Sequence, residues 1–438
     1  MKKKYRLLCT LAFVMMGAGY ALCDEDESTE IRWSGFASME AGQVVNGEAD
    51  IAHEYGKHDH VWSQKLYIGS NMQILFNTLP VVGNIGMEMK VWNDYIQYTG
   101  DYGKSRRLYY YPYLSRADLT YNFGSSDDPD LSITLGYFPF KYNPDARNLG
   151  EYMFRSGTYP QYLITDFDFP MAKLFGMHVN GRNSGPFKWD ILATLNTEWT
   201  AIGDLNLTGI ASYQPVPFVT LGAGAGWFSL VSANWDQTTP AVEGCSYIED
   251  GKRYYYTFAG QKVMGRFSLD PQSLFPNNLF GHEDFKIYSE AAILGLINYP
   301  LGEDGKTRYD DIKKRIPVMG GFNIPAFKYL DILSLQAEWF GSDYINDLNP
   351  IMFDNQPIPF SSNRGTKTPY NTKENHNGDD WKWSLYGKKT IAEHFNIVFQ
   401  FARDHMRWYR EDYTLQDGQE ALRSNKDWYY TIKLGYVF

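Results

Sequence analysis

The sequence predicts an all-β fold, a transmembrane, antiparallel, up-and-down β-barrel of about 16 strands, within a range of about 14–18. Three observations predict it. Apolar residues recur at every second position through most of the chain, the links between such segments are alternately long and short, and aromatic residues on the apolar faces are spaced by one membrane thickness.

The alternation is plainest in DWYYTIKLGYVF (427–438), where Trp428, Tyr430, Ile432, Leu434, Tyr436 and Phe438 share one face. The other face carries Asp427, Tyr429, Thr431, Lys433, Gly435 and Val437, and a period of two describes a strand. Residues 187–199 repeat the pattern: Phe187, Trp189, Ile191, Ala193, Leu195, Thr197 and Trp199 stand against Lys188, Asp190, Leu192, Thr194, Asn196 and Glu198. Comparable segments fall at 31–43, 61–77, 85–97, 107–123, 131–140, 171–182, 187–199, 205–214, 218–231, 253–268, 285–297, 315–324, 329–342, 380–389, 395–407 and 427–438. No stretch of similar length has a helical period.

The links separate by parity. Those after odd-numbered segments are long (44–60, 98–106, 141–170, 232–252, 298–314, 343–379 and 408–426), with 200–204 the exception. Those after even-numbered segments are short and turn-like, such as GSSDDPD, RNSGP and QPVP, with 269–284 the exception. Long loops on one rim and short turns on the other belong to a membrane barrel, whereas a sandwich or propeller has no reason to sort its connections in this way.

Trp189 and Trp199, like Trp428 and Phe438, lie ten residues apart on one apolar face. At a strand tilt of about 40° this is roughly 25 Å along the membrane normal, the spacing of two interfacial aromatic girdles. These four residues are the expected lipid-facing girdle.

Composition bounds the rest. The first 23 residues form an export signal: Lys2, Lys3, Lys4 and Arg6, an apolar run from Leu7 to Ala18, then small residues. That run is too short to span a bilayer, and no later stretch is long and apolar enough for a transmembrane helix. Removing the signal removes four positive charges and takes the net charge from −10 to about −14, which argues against nucleic acid as a partner. Only Cys245 then remains, so no intramolecular disulfide is expected. The division expected is signal 1–23, acidic segment 24–30 and barrel 31–438.

With these features the chain resembles the bacterial outer-membrane porins, and LGYFPFKYNPDARNLGEYMFRSGTYP (135–160) is similar to a segment of porin-like outer-membrane proteins of Fibrobacter-type bacteria. The resemblance implies an outer-membrane location, long loops outside and short turns in the periplasm, with segment 24–30 periplasmic. It further implies passive diffusion of ions and small hydrophilic solutes, lipid and the outer-membrane assembly machinery as partners, the latter through the strand ending at Phe438, and a homotrimer. No cofactor is implied.

By the same resemblance, link 141–170 folds inward as a constriction loop carrying Lys141, Asp145, Arg147, Glu151, Tyr152 and Arg155. The alternation puts Glu88, Lys90, Arg116, Asp118, Asp190, Glu290, Gln336, Glu338 and Asp404 on the inward wall, with Lys188, Glu198 and Gln400. So many charges exclude a dry interior, and their acidic excess predicts a weak cation preference.

Enzymatic readings find no support, because G-x-S-x-G, H-E-x-x-H and P-loop motifs are absent and Asp404-His405 has no matching carboxylate pair. HEYGKHDH (53–60) has ligand-type residues, but polar loops gather these and no metal is expected. The competing class is a surface adhesin or carbohydrate-binding barrel, or a sugar-selective porin, using Tyr344, Tyr370, Trp408, Tyr409 and Tyr413. A plugged, energised transporter is disfavoured, since a first strand near residue 31 leaves no room for an amino-terminal plug. Appending charged residues after Phe438 is expected to lower the inserted fraction in isolated outer membranes; undiminished insertion would count against the terminal signal.

Overall fold

A strand with one apolar face and unpaired edges is stable in lipid only if every backbone N–H and C=O finds a neighbour, which a sheet achieves by closing on itself. The computed structural model describes residues 29–46, 61–76, 79–97, 104–124, 129–154, 171–182, 185–197, 203–233, 246–255, 259–274, 279–297, 311–341, 380–409, 416–420, 422 and 424–438. Its strands are β1 (Thr29–Asn46), β2 (Val61–Phe76), β3 (Val81–Gln97), β4 (Lys104–Gly124), β5 (Pro129–Phe140), β6 (Ala172–Arg182), β7 (Phe187–Leu195), β8 (Leu205–Val216), β9 (Val219–Val231) and β10 (Ser246–Glu249). They continue with β11 (Lys252–Tyr255), β12 (Gly260–Leu269), β13 (Ile287–Ile293), β14 (Val318–Asn323), β15 (Ile332–Trp339), β16 (Trp381–Ile391), β17 (Phe395–Arg403), β18 (Arg407–Tyr409), β19 (Gln416–Glu420) and β20 (Trp428–Val437).

Sixteen of these, β1–β9, β12–β17 and β20, form one closed antiparallel barrel. β10–β11 and β18–β19 are separate hairpins within long links. Closure comes from β20, which pairs with β17 on one side and β1 on the other, from Phe36↔Val437 to Asn46↔Trp428. Phe438 extends the seam by exchanging two backbone hydrogen bonds with Gly35, each 2.9 Å. A Cβ at position 35 would lie 2.5 Å from the Phe438 ring, so the glycine gives the ring its place on the outer surface.

The faces segregate as the alternation requires. Outward positions such as Met39, Ile85, Leu119, Leu135, Ile191, Leu221, Leu335, Ile432 and Leu434 are exposed, while their sequence neighbours turn into the barrel. Trp428 and Phe438 are on the outer face with Ile432 and Leu434, and Trp189 is on the outer face with Ile191. Trp199 lies outside the described residues.

Three departures from the expected segments have local causes. β4 carries a bulge: Gly86 pairs with Arg116 and Met87 with Leu114, leaving Ser115 over, so the outward parity shifts by one from Leu119 to Leu114. The segment expected at 253–268 is divided, because Asp250 and Gly251, both at positive φ (51° and 75°), turn 252–255 back onto 246–249. Asp-Gly is the sequence such a two-residue hairpin turn selects, and the barrel strand begins only at Gly260. β14 starts at Val318 rather than 315, since Pro317 has no N–H to continue the ladder.

Gly35→Val is expected to push Phe438 off the seam and destabilise the barrel by about 1–3 kcal/mol, the usual scale of overpacking. Urea unfolding followed by tryptophan fluorescence checks this, with an unshifted midpoint as the contrary result.

Candidate functional site: the barrel interior and its inward loop

The chain leaving β5 does not pass over the rim. Residues 141–154 enter the barrel and reach β13, β15 and the end of β17, strands on the far side of the ring from β5. The turn is set locally. Asn143 Oδ1 accepts from the Asp145 N–H at 3.2 Å, and Glu151 Oε1 accepts from the Asn143 N–H at 2.6 Å, drawing the loop's two ends together. Gly150 and Glu151 sit at positive φ (88° and 63°). A Cβ on Gly150 would lie 2.7 Å from Met319 Cε, so the backbone is pressed against the wall at that point.

Wall carboxylates hold the loop. Glu290 accepts from Tyr142 Oη (2.5 Å), Asn143 Nδ2 (2.6 Å) and the Tyr152 N–H (2.9 Å). Glu338 accepts from Tyr152 Oη at 2.7 Å and pairs with His405 Nε2 at 2.6 Å. Gln336 Oε1 accepts from the N–H groups of Asn148 and Leu149, while its amide donates to Tyr288 Oη at 2.9 Å. Asp404 accepts from Asn148 Nδ2 and from Tyr429 Oη (2.6 Å). Each bond to a carboxylate is charge-assisted and worth about 1.5–3 kcal/mol where water is excluded. Burial and then the Glu290 charge hold the Tyr142 phenol well above its ordinary pKa, and burial with Glu338 does the same to Tyr152. Both therefore stay protonated donors.

The loop also carries apolar side chains into the barrel. Tyr142, Ala146, Leu149, Tyr152, Met153 and Phe154 form a buried cluster with Leu174, Leu192, Ile210, Phe228, Met264, Tyr288, Ala292 and Met319. The expectation of an interior without a dry core is corrected here: charges line the wall, but the loop packs an apolar core against the inner faces of β6–β9 and β12–β14. Inward apolar residues on β7, β8, β12 and β14, Leu192, Ile210, Met264 and Met319, are the signal that locates this docking area.

The remaining site residues are placed as follows. Asp145 pairs with Lys286 (3.1 Å), Arg147 with Glu283 (3.3 Å), and Lys141 Nζ donates to the Ala146 carbonyl (2.6 Å). Arg155, Glu198, the 53–60 stretch and Tyr344, Tyr370 and Tyr413 lie outside the described residues. On β4, Arg116 pairs with Asp118, which accepts from Asn84 Nδ2 at 3.0 Å; on β7, Asp190 bonds His178 at 2.8 Å. Glu88 is bonded by Tyr113 Oη and lies 3.6 Å from Lys173. Asp404 and His405 turn to different partners, so they form no acid–base pair.

A basic and aromatic wall faces inward from β2, β3 and β20; Lys90 was expected on it, whereas Lys65, Tyr67, Trp92 and Lys433 were not singled out in the sequence. Lys65 lies 4.3 Å from the Trp92 ring centre, Lys90 lies 4.8 Å from Trp92 and 5.3 Å from Tyr67, and Lys433 lies 4.8 Å from Tyr67. Glu40 is 3.5 Å from Lys65. The residues were visible at alternating positions, but their stacking depends on cross-strand register.

No family model and no curated protein matches this sequence. Among solved structures it is similar to a Rhodopseudomonas blastica porin triple mutant, at 9% identity over 93% of this chain and 100% of that one, with a TM-score of 0.42. Pseudomonas putida OprB in its high-pH structure gives 9% identity, 94% and 95% coverage and a TM-score of 0.46. The Salmonella typhi OmpF complex with daunomycin gives 12%, 94%, 99% and 0.44. The barrel assignment itself rests on this chain's own strand pairing.

Glu290→Ala is expected to loosen the loop, raising hydrogen exchange at the Tyr152 amide by about tenfold or more, the scale of one lost charge-assisted bond. Exchange mass spectrometry of the 141–154 peptide reads it; unchanged protection would show that the apolar cluster alone holds the loop.

Proposed function

We propose that this chain is exported through its 1–23 signal to the bacterial outer membrane and acts there as a porin, passing ions and small hydrophilic solutes by passive diffusion. One observation carries the reading: a closed sixteen-strand barrel, apolar outside and charged inside, whose lumen is narrowed by its own loop. In this reading Lys141, Asp145, Arg147, Glu151, Tyr152 and Arg155 belong to the constriction loop. Glu88, Lys90, Arg116, Asp118 and Asp190 line the pore, while Glu290, Gln336, Glu338 and Asp404 set the aperture by fixing the loop. Trp189, Trp199, Trp428 and Phe438 mark the lipid-facing girdle. The acidic excess of the chain supports a weak preference for cations. The resemblance to porins supports assembly as a homotrimer.

A second reading, a sugar-selective porin, is favoured by Tyr67, Trp92 and Tyr113 on the inward wall, since aromatic faces stack on sugar rings. Lysine ammonium groups already lie over these rings, which places the general channel first. Swelling of liposomes containing the protein separates the two: equal entry of a hexose and a size-matched neutral polyol is expected, and a marked hexose advantage would favour the second.

In planar bilayers the purified protein is expected to give stepwise conductance, with a reversal potential of the sign for mild cation selectivity in a salt gradient. Anion selectivity would overturn the preference, and absence of any conductance would overturn the channel in favour of a surface-binding barrel.

A further inference from the structure

On the short-turn side of the loop the lumen holds a polar cavity of about 980 Å3, walled mainly by β4–β9 and β12. Among the described residues its charges do not cancel. Three described carboxylates line it and each is engaged: Asp145 with Lys286 (3.1 Å), Asp190 with His178 (2.8 Å), and Asp270 accepting the Gln272 N–H (3.1 Å). Of the cations, Arg116 is paired with Asp118, and Lys141 donates to the Ala146 carbonyl. Two more remain. Among the described residues, the side chains of Lys188 and Arg266 make neither an ion pair nor a hydrogen bond, and Arg266 Nε is buried without an acceptor.

The direction Arg266 takes explains its isolation. Its register partner on β13 is Glu290, the carboxylate it would be expected to meet. Glu290 already accepts three hydrogen bonds from the loop, and Arg266 leans the other way, across β9. A Cβ on Gly222 would fall 2.5 Å from Arg266 Nε and 2.6 Å from its Cγ, so only glycine leaves this path open. Beyond Gly222 the same cross-strand row continues to Ser212 and then Lys188. The backbones of Lys188 and Arg266 are three strand spacings apart, about 14 Å, a gap that two long side chains reaching over a glycine and a serine can close around one small group.

We propose that Arg266 and Lys188, with the Ser212 hydroxyl between them, form a binding station for the oxyanion of a small solute, a carboxylate or a phosphate. The guanidinium offers a planar fork of donors suited to such a group, and the lysine adds a point charge. The station deepens the channel reading and rests on it for its purpose. It is compatible with a weak overall preference for cations, because that is set by the sum of the chain's charges and the station by two side chains.

The test uses the purified full-length protein with inorganic phosphate and gluconate as probes and sorbitol as the neutral control. In planar bilayers, phosphate or gluconate is expected to reduce the potassium chloride current in a saturable way, whereas sorbitol is not. The half-saturating concentration should rise about tenfold in Arg266→Gln and in Lys188→Gln, the effect of losing one charge-assisted bond. Gly222→Ala, which keeps both charges but blocks the path of Arg266, should show the same loss, and covers the case in which Arg266→Gln fails to fold. A response to phosphate alone would assign the site to phosphate, and one to both probes to oxyanions in general. Equal half-saturation in wild type and variants overturns the proposal.

Calorimetric titration of phosphate into the detergent-solubilised protein separates this inference from the channel itself. A barrel that conducts but shows no Arg266-dependent binding removes the station and leaves the channel. One that binds through Arg266 but does not conduct does the reverse.

Discussion

Everything in this molecule follows from the cost of an unpaired backbone in hydrocarbon. A strand edge left open there strands a row of N–H and C=O groups at several kcal/mol each, so the sheet closes. Closure makes an outside and an inside from a single alternating pattern. The outside is covered mainly by apolar side chains. The inside of a sixteen-strand ring is too wide for its own side chains to fill, and what enters it decides what the barrel does.

In this chain the entrant is residues 141–154, and the wall is arranged to receive it. Glu290, Met319 and Glu338 are direct cross-strand neighbours in one register row, with Lys382 next. The row thus presents two carboxylates flanking an apolar contact, matching a loop that offers tyrosine, asparagine and backbone donors around Leu149 and Met153. Carboxylates buried without partners would be ruinous, and here they are satisfied by donors that remain protonated. The loop's position is therefore specified by polar geometry and stabilised by packing, two terms that reinforce each other.

The barrel was legible from the sequence because lipid imposes a period of two that neither turn chemistry nor packing disturbs for long. Even the unforeseen bulge at Ser115 only shifts that pattern by one residue. Which face each wall residue occupies was legible for the same reason, as at Glu88, Asp118, Glu290 and Glu338. What each residue touches was not. Glu290 on β13 meets Tyr142 at a sequence distance of 148 residues, and Asn148 meets Asp404 at 256. No local periodicity encodes such contacts. The inward apolar residues Leu192, Ile210, Met264 and Met319 were present in the sequence, but only the loop packed against them shows what they are for.

The seam between β1 and β20 has a further meaning in time. Tyr430 and Gln43, bonded side chain to side chain across it, are 387 positions apart in the chain. Until both have been made and brought together, the sheet is an open ribbon with two adhesive edges, and none of the fifteen other strand junctions can substitute for the missing one. The ring therefore has no closed precursor: its two edges stay open until the last strand meets the first.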